Sequence, residues 1–166
     1  NSTETLGDDL FLKPGSYIAL HRTTEIFAWI EHKKSKNSTN TGGSETTTTT
    51  YTYTKDWTSA PRPSSEFKSP AGHENPSLTI PSDTNKVSAA TVGIYSIDVP
   101  TITLPEFDSL SLTPQNTKMG PGHSLAGGQY VFIPKNQGDS LGNPQLGDVR
   151  VSYRVLNQGI RGTVFG

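Results

Sequence analysis

The chain contains no cysteine, and its basic and acidic residues nearly balance. The absence of cysteine excludes disulfide bonds, thiolate metal sites and cysteine nucleophiles. Fourteen basic and fifteen acidic residues give a formal net charge of -1, which argues against nucleic acid as a partner because its binders usually carry a basic excess. No apolar run approaches the roughly 18 residues of a membrane span, so the sequence predicts a water-soluble domain.

The composition favours β-structure over long helices. Hydrophobic residues reach only 31%, while 22 Thr, 18 Ser, 16 Gly and 12 Pro account for much of the chain. Glycine and proline disfavour helices, whereas threonine and the aromatic residues favour strands. We predict one mainly β domain over residues 1–166, as a twisted antiparallel sheet or small sandwich with one or two short helical turns.

The first half of the chain predicts a hairpin. Residues 17–31 alternate with apolar side chains on both faces, which indicates a strand covered on both sides. Residues 32–45 are polar and predict a flexible loop, and a second strand follows at residues 46–57. Cross-strand aromatic and charge pairs favour a register with Phe27 opposite Tyr53, Trp29 opposite Tyr51 and Glu25 opposite Lys55.

The second half is less regular until its end. Five prolines in residues 60–85 predict an extended surface segment, and Pro105 suits the first position of a helical turn over residues 104–110. Residues 113–128 predict a second flexible loop. Residues 129–134 and 148–155 predict an antiparallel pair of strands, because Val149, Val151, Tyr153 and Val155 lie on one face of the second one.

Two candidate catalytic or metal sites fail on the order and spacing of their residues. The segment at residues 122–127 is similar to a nucleophile elbow around Ser124, but no histidine follows His123 to complete a triad. The four histidines have no zinc-binding spacing. We therefore predict no enzyme activity, no metal and no cofactor, with the His73 ring and the Asn75 amide binding backbone groups of the proline-rich stretch instead.

Two other groups of side chains allow a functional interpretation. An aromatic row could stack on sugar rings, which makes a carbohydrate-binding module the alternative function; its residues are Trp29, Tyr51, Tyr53 and Trp57. Arg22 and Arg150 lie inside predicted strands. Each is either solvated along its stem or forms a partly buried ion pair with Glu25, Glu31 or Asp148.

Four motifs occur in a fixed order along most of the chain. The first reads Arg22-x-x-Glu25-x-aromatic-x-Trp29-x-Glu31, and the second runs from Tyr51 through Tyr53 to Trp57. The third is Gly-His73-Glu-Asn75-Pro76, and the last is Gly147-Asp148-Val-Arg150. This ordered set resembles the LUMA family of multipass membrane proteins, also called transmembrane protein forty-three.

The resemblance implies a fragment of a larger, membrane-anchored protein. In that family a large domain follows a first membrane helix on the non-cytoplasmic side, which is the periplasm in a bacterium and a lumen in a eukaryote. The composition favours a bacterial member. The resemblance implies a non-enzymatic scaffold or protein-interaction role, with an unidentified envelope or membrane protein as partner and a homo-oligomer as an open option.

Overall fold

The computed structural model describes residues 1–159 and residue 161, and their regular structure is almost entirely β. The strands in this part of the chain are β1 (Tyr17–Thr39), β2 (Glu45–Thr58), β3 (Asp83–Lys86), β4 (Ala89–Val92), β5 (Tyr95–Asp98), β6 (Asp108–Ser109), β7 (Ser124–Ala126), β8 (Tyr130–Ile133) and β9 (Val149–Asn157). Two short 3-10 turns, Ser64–Glu66 and Val99–Thr101, complete the described elements. The prediction of a mainly β fold is confirmed.

Seven strands form one antiparallel sheet around β1. Its main order is β2-β1-β9-β8-β7, with β3 paired to β1 and β6 paired to β9. The strands β4 and β5 form a separate hairpin. The predicted antiparallel pairing near the end of the chain is confirmed, since β8 pairs with β9.

The core lies against both faces of the sheet near β1 and β9. The predicted apolar face of β9 is buried at Val151, Tyr153 and Val155, and it packs with Leu12 and Leu20. A second buried cluster lies near the β4–β5 hairpin and includes Ile18, Ala19, Val87, Val99 and Leu156. Burial of alternate side chains fixes the register of β9 against β1, because a slip by one residue would expose the apolar face.

The predicted flexible loop at residues 32–45 is wrong over most of its length. β1 continues to Thr39 and β2 begins at Glu45, so only residues 40–44 form a turn. Gly42 and Gly43 adopt positive φ angles of 103° and 86°, which glycine tolerates without steric cost. The polar residues of β1 form a strand because the threonine-rich β2 pairs with them along the whole segment.

The predicted hairpin register is also wrong, by four residues. Phe27 lies opposite Trp57 and Trp29 lies opposite Lys55, whereas Glu25 pairs with Arg150 on β9. The tight turn determines this register, because Asn40 donates to the Ser44 carbonyl at 2.7 Å and the strands continue up to it. The predicted register was based on the aromatic and charge pairs alone.

The predicted helical turn at residues 104–110 is wrong. This segment is extended and contains β6, and the Leu110 N–H donates to the Tyr153 carbonyl at 2.9 Å. An extended segment satisfies the free edge of β9, which a helical turn would leave unpaired. Residues 113–128 are mostly loop as predicted, apart from β7.

Candidate functional site

The β1–β2 hairpin extends beyond the rest of the sheet. Its outer part consists of residues 32–39 and 45–52 with their connecting turn, and we call this part the β-ribbon. All residues from 32 to 50 are exposed to solvent. An isolated two-stranded hairpin is marginally stable in water, so the contacts at its base decide whether it keeps its shape.

Five side chains meet at the base of the β-ribbon, and we call them the root cluster: Trp29, Glu31, Tyr53, His73 and Asn75. The His73 ring stacks on Tyr53 with centroids 3.7 Å apart and meets Trp29 edge to face at 4.8 Å. The His73 Nδ1 lies 2.8 Å from the Ser69 carbonyl, so this nitrogen carries the proton and donates. The predicted structural role of the histidine ring agrees with this geometry.

Glu31 accepts hydrogen bonds at the centre of the root cluster. The Tyr53 hydroxyl donates to its Oε2 at 2.7 Å, and the Lys68 N–H donates to the same oxygen at 2.6 Å. The Arg62 guanidinium lies 3.5 Å from Oε1, and the Glu31 side chain is only 7% exposed. The hydrogen bond from the Tyr53 hydroxyl makes the largest contribution to holding the pKa of Glu31 below its usual value.

The Asn75 side chain binds both the N–H and the carbonyl of one β1 residue, as a neighbouring strand would. Its Oδ1 accepts from the Trp29 N–H at 2.7 Å, and its Nδ2 donates to the Trp29 carbonyl at 2.9 Å. The same Nδ2 donates to the Arg62 carbonyl at 3.0 Å. Pro76 restricts Asn75 to an extended backbone, which favours this placement of the amide.

A second group of predicted residues meets on the neighbouring part of the sheet. The Arg150 Nε donates to Glu25 Oε1 at 2.8 Å, which confirms one of the predicted partly buried ion pairs. The Arg150 guanidinium lies over the rings of Trp57 and Tyr130, with both centroids 4.6 Å away. Trp57 in turn contacts Phe27 edge to face at 5.4 Å.

Gly147 and Asp148 connect the turn before β9 to β1. The Phe27 N–H donates to the Asp148 carbonyl at 2.8 Å, and the Gly147 N–H donates to the Phe27 carbonyl at 2.9 Å. The fully buried Asp148 carboxylate accepts from the N–H groups of Lys135 and Gln145, both at 2.8 Å. Burial raises the pKa of Asp148, although these two N–H groups oppose the shift.

Arg22 has a partner that the sequence reasoning missed. Its Nη1 donates to Asp8 Oδ2 at 3.0 Å, and the Tyr153 hydroxyl donates to the same oxygen. Burial alone would raise the pKa of Asp8, but hydrogen bonds from Leu12, Tyr153 and Arg22 hold it below its usual value. The sequence did offer one local signal for Asp8. An aspartate side chain often accepts from N–H groups a few residues later in a turn, and Asp8 accepts from those two and four residues later.

A family model described as Transmembrane protein 43 matches residues 26–166. The chain belongs to the Transmembrane protein 43 family. The match includes all of the predicted motif residues except Arg22 and Glu25. No curated protein and no solved structure matches the chain significantly.

This match confirms the predicted resemblance, because LUMA and Transmembrane protein 43 are two names of one family. It is a family of membrane proteins. Within residues 1–159 the helical segments are single 3-10 turns, and none has the length and apolarity needed to cross a bilayer.

The structure separates the aromatic row into different environments. Trp29 and Tyr53 belong to the root cluster, whereas Trp57 lies under Arg150. Tyr51 lies farther along the β-ribbon, opposite Lys33, and is partly exposed. Among the described residues, no group of three or more acidic or histidine side chains is arranged to hold a metal ion.

Proposed function

We propose that this chain is a non-enzymatic, extracytoplasmic domain of a membrane-anchored Transmembrane protein 43 family member, and that it binds an envelope or membrane protein through the β-ribbon. Family membership supports the membrane attachment. The non-cytoplasmic side rests on the architecture that the resemblance implies, which means the periplasm in a bacterium and a lumen in a eukaryote.

The observation that carries the binding role is the exposed β-ribbon itself. β1 and β2 pair at fourteen successive positions, from Ile26 opposite Thr58 to Thr39 opposite Glu45. The outer positions bury no hydrophobic side chain, so they add little to the stability of the core. A protruding strand pair offers backbone groups and alternating side chains to another protein, which is a common mode of recognition.

The contacts of the motif residues support a role without catalysis. Glu31 accepts from three groups, Asp148 accepts from two backbone N–H groups, and the His73 ring is covered by Tyr53. A general acid or base needs a free path to a substrate proton. These side chains instead hold the base of the β-ribbon and the turn before β9.

The carbohydrate alternative needs exposed ring faces arranged in a row. His73 covers one face of Tyr53, and Arg150 lies over the ring of Trp57. These contacts count against a sugar-binding role for the aromatic row.

The binding role is tested by shortening the β-ribbon without disturbing its base. Deleting residues 34–39 and 45–50 removes six consecutive pairs and keeps the natural turn, with Lys33 and Tyr51 as the last pair. The even number of deleted pairs preserves the face of every remaining side chain. Unchanged near-ultraviolet circular dichroism confirms that the variant is folded.

Both versions then serve as bait for proteins from membranes of the source organism. We expect the intact chain to retain a defined membrane or envelope protein that the shortened variant loses. Equal retention of that protein by both folded versions would contradict a binding role for the β-ribbon.

The side of the membrane requires its own measurement. Ile94 is 92% exposed, and this chain has no cysteine, so Ile94→Cys introduces a single accessible thiol in it. In intact bacterial cells that express the full-length protein, a small membrane-impermeant maleimide should label this thiol more than it labels the unsubstituted protein. In eukaryotic cells the thiol should stay protected after digitonin opens the plasma membrane alone and become labelled only after full permeabilisation. Protection in intact bacterial cells, or labelling after digitonin alone in eukaryotic cells, would place the domain on the cytoplasmic side and overturn this part of the proposal.

A further inference from the structure

On the outer edge of β2, the backbone groups have no strand partner among residues 1–159 and 161. The Phe27 N–H and carbonyl bind Asp148 and Gly147, on the side of β1 away from β2. Phe27 and Trp57 are therefore a non-hydrogen-bonded pair, and the Trp57 N–H and carbonyl point away from β1, toward the outer edge of β2. The alternation of a strand repeats this direction at every second residue of β2. The outward groups belong to Thr47, Thr49, Tyr51, Tyr53 and Lys55, and no backbone partner on that side exists among the described residues.

The two edges of the β-ribbon differ in their protection against pairing with another strand. The β1 edge carries Lys33, Lys34 and Lys36, and the Asn75 side chain occupies its backbone at Trp29. In β2, residues 46–54 contain no charge and no proline, and their register with β1 is uninterrupted. Natural proteins usually block edge strands with lysine, proline or bulges, and β2 uses none of these over nine residues.

We infer that β2 pairs antiparallel with β2 of a second copy of this chain, with Thr50 opposite its own counterpart. This inference rests on the proposed binding role of the β-ribbon and names its partner. In this register Glu45 lies opposite Lys55 of the second copy, and the two-fold symmetry forms the same pair twice. Glu45 and Lys55 are both exposed and therefore available for this pairing.

The charges distinguish this register from its neighbours. A shift of two residues in either direction keeps the hydrogen-bond pattern but places Glu45 opposite Tyr53 or Trp57. Opposite charges directly across a strand pair stabilise it, so the register centred on Thr50 is favoured. It also places the two copies of Tyr51 diagonally across the axis, within reach of an aromatic contact.

The symmetry also limits the assembly to two copies. Each chain has one β2 edge, and a two-fold pairing uses both of these edges. The product is therefore a closed dimer with a continuous sheet across β2.

Disulfide trapping tests the register, because the chain has no cysteine of its own. In Thr50→Cys the two introduced residues lie in a non-hydrogen-bonded pair with Cα atoms about 4.5 Å apart, which suits a disulfide. A cysteine in Thr48→Cys lies about 13 Å from the same position of the second copy, and the same is true of Thr52→Cys. Position 48 of one copy, however, lies directly opposite position 52 of the other copy.

We expect Thr50→Cys to form a covalent dimer on mild oxidation. Thr48→Cys and Thr52→Cys should each remain uncross-linked alone and cross-link when mixed. Equal cross-linking at all three positions, or none at any, would overturn the proposed pairing. All three threonines lie on the exposed β-ribbon, so the substitutions leave the core intact.

Charge reversal tests the ion pair by sedimentation velocity across a concentration series. Glu45→Lys places two lysines opposite each other at both ends of the paired segment, and we expect it to weaken the dimer by at least about ten-fold. The double variant Glu45→Lys/Lys55→Glu exchanges the partners and should restore the affinity. A monomeric parent chain at every concentration, or an open-ended polymer, would contradict the inference.

The failure of this inference and the failure of the proposed function give different results. A parent chain that stays monomeric but retains a membrane protein through its β-ribbon rejects the second copy as partner and keeps the binding role. A dimer that persists after the β-ribbon is shortened rejects β2 pairing as its cause.

Discussion

At the scale of single residues, the polar members of the motifs replace backbone hydrogen bonds that the fold does not otherwise supply. Asn75 binds both backbone groups of Trp29, and Asp148 binds the N–H groups of Lys135 and Gln145. Each side chain supplies partners where no strand reaches. Buried backbone groups without partners are costly, so these two side chains fix the path of the chain at the positions that they bind.

The first prediction concerns Asn75. Asn75→Ala removes both partners of the partly buried Trp29 backbone, and we expect a loss of about 1–3 kcal/mol in the free energy of unfolding. Urea denaturation measures the change through its midpoint. The control Asn37→Ala removes one exposed contact with the Thr47 hydroxyl and should cost less than about 0.5 kcal/mol. Equal losses in the two variants would contradict the role of Asn75.

The second prediction concerns the hydrogen bond from Tyr53 to Glu31. Because the folded-state pKa of Glu31 is lowered, its contribution to stability is present above the unfolded-state pKa and is lost as the pH falls toward the folded-state pKa. Tyr53→Phe removes the largest cause of this shift, so the pKa of Glu31 should rise toward its usual value. A carboxyl NMR titration measures it.

Tyr95→Phe serves as the control for Tyr53→Phe. Tyr95 is 62% exposed and lies on β5, away from Glu31, so its hydroxyl should not affect the titration of that carboxylate. An unchanged Glu31 pKa in Tyr53→Phe would show that the N–H of Lys68 and the guanidinium of Arg62 determine the shift instead.

At the scale of elements, the β1–β2 hairpin consists of a packed base and an exposed β-ribbon. The base contacts the root cluster, whereas the β-ribbon is held by its ladder, its turn and polar contacts such as Ser35 with Thr49. Segments with few buried contacts open locally with low free energy. The outer ladder should therefore exchange its amide hydrogens faster than the base.

The third prediction tests the turn. In Gly42→Ala or Gly43→Ala the added methyl group would meet no other atom. The positive φ angle alone should therefore destabilise the turn, by about 1–2 kcal/mol. We expect hydrogen exchange monitored by NMR to accelerate in the β-ribbon and to stay unchanged in β9. Gly142→Ala, which has neither a positive φ nor a close neighbour, should leave the exchange unchanged. Faster exchange throughout the sheet would show that the β-ribbon unfolds together with the core.

At the scale of the whole molecule, residues before the family match complete the core. Asp8 joins Arg22 of β1 to Tyr153 of β9, and Phe11 and Leu12 pack in the same buried cluster. The matched region begins only at residue 26. The described fold therefore depends on the amino-terminal segment as well as on the matched region.

The fourth prediction concerns this buried ion pair. Asp8→Asn leaves Arg22 without a charged partner, and we expect a loss of about 3–5 kcal/mol in the free energy of unfolding. The lowered pKa of Asp8 means that the wild-type contribution is present above the unfolded-state pKa and is lost as the pH falls toward the folded-state value. The variant should therefore also lose less stability on acidification.

Thermal unfolding between pH 7 and 3 measures both effects of Asp8→Asn. The neighbouring Asp9 is exposed, so Asp9→Asn is the matched control and should change the stability little. An Asp8→Asn variant with the same stability and pH dependence as this control would reject the ion pair as a structural link.

The sequence by itself determined the β class, the alternation of buried and exposed residues in the strands, and the family. Composition, alternation and the order of motifs can all be read along the chain without knowing which distant residues come together. The alternating face of β9 is one example, since burial of every second residue leaves a period of two in the sequence. The ion pair of Arg150 with Glu25 was also among the predicted partners.

Tertiary structure alone decided the hairpin register, the length of β1 and the partner of Arg22. A polar strand such as residues 32–39 has no hydrophobic period, and its pairing depends on a turn and on a threonine-rich neighbour. Asp8 and Tyr153 are separated by 145 residues, and no local pattern shows that they meet. The same holds for Asn75 and Trp29, because a side chain that substitutes for a strand can be recognised only after the strand it binds has been placed.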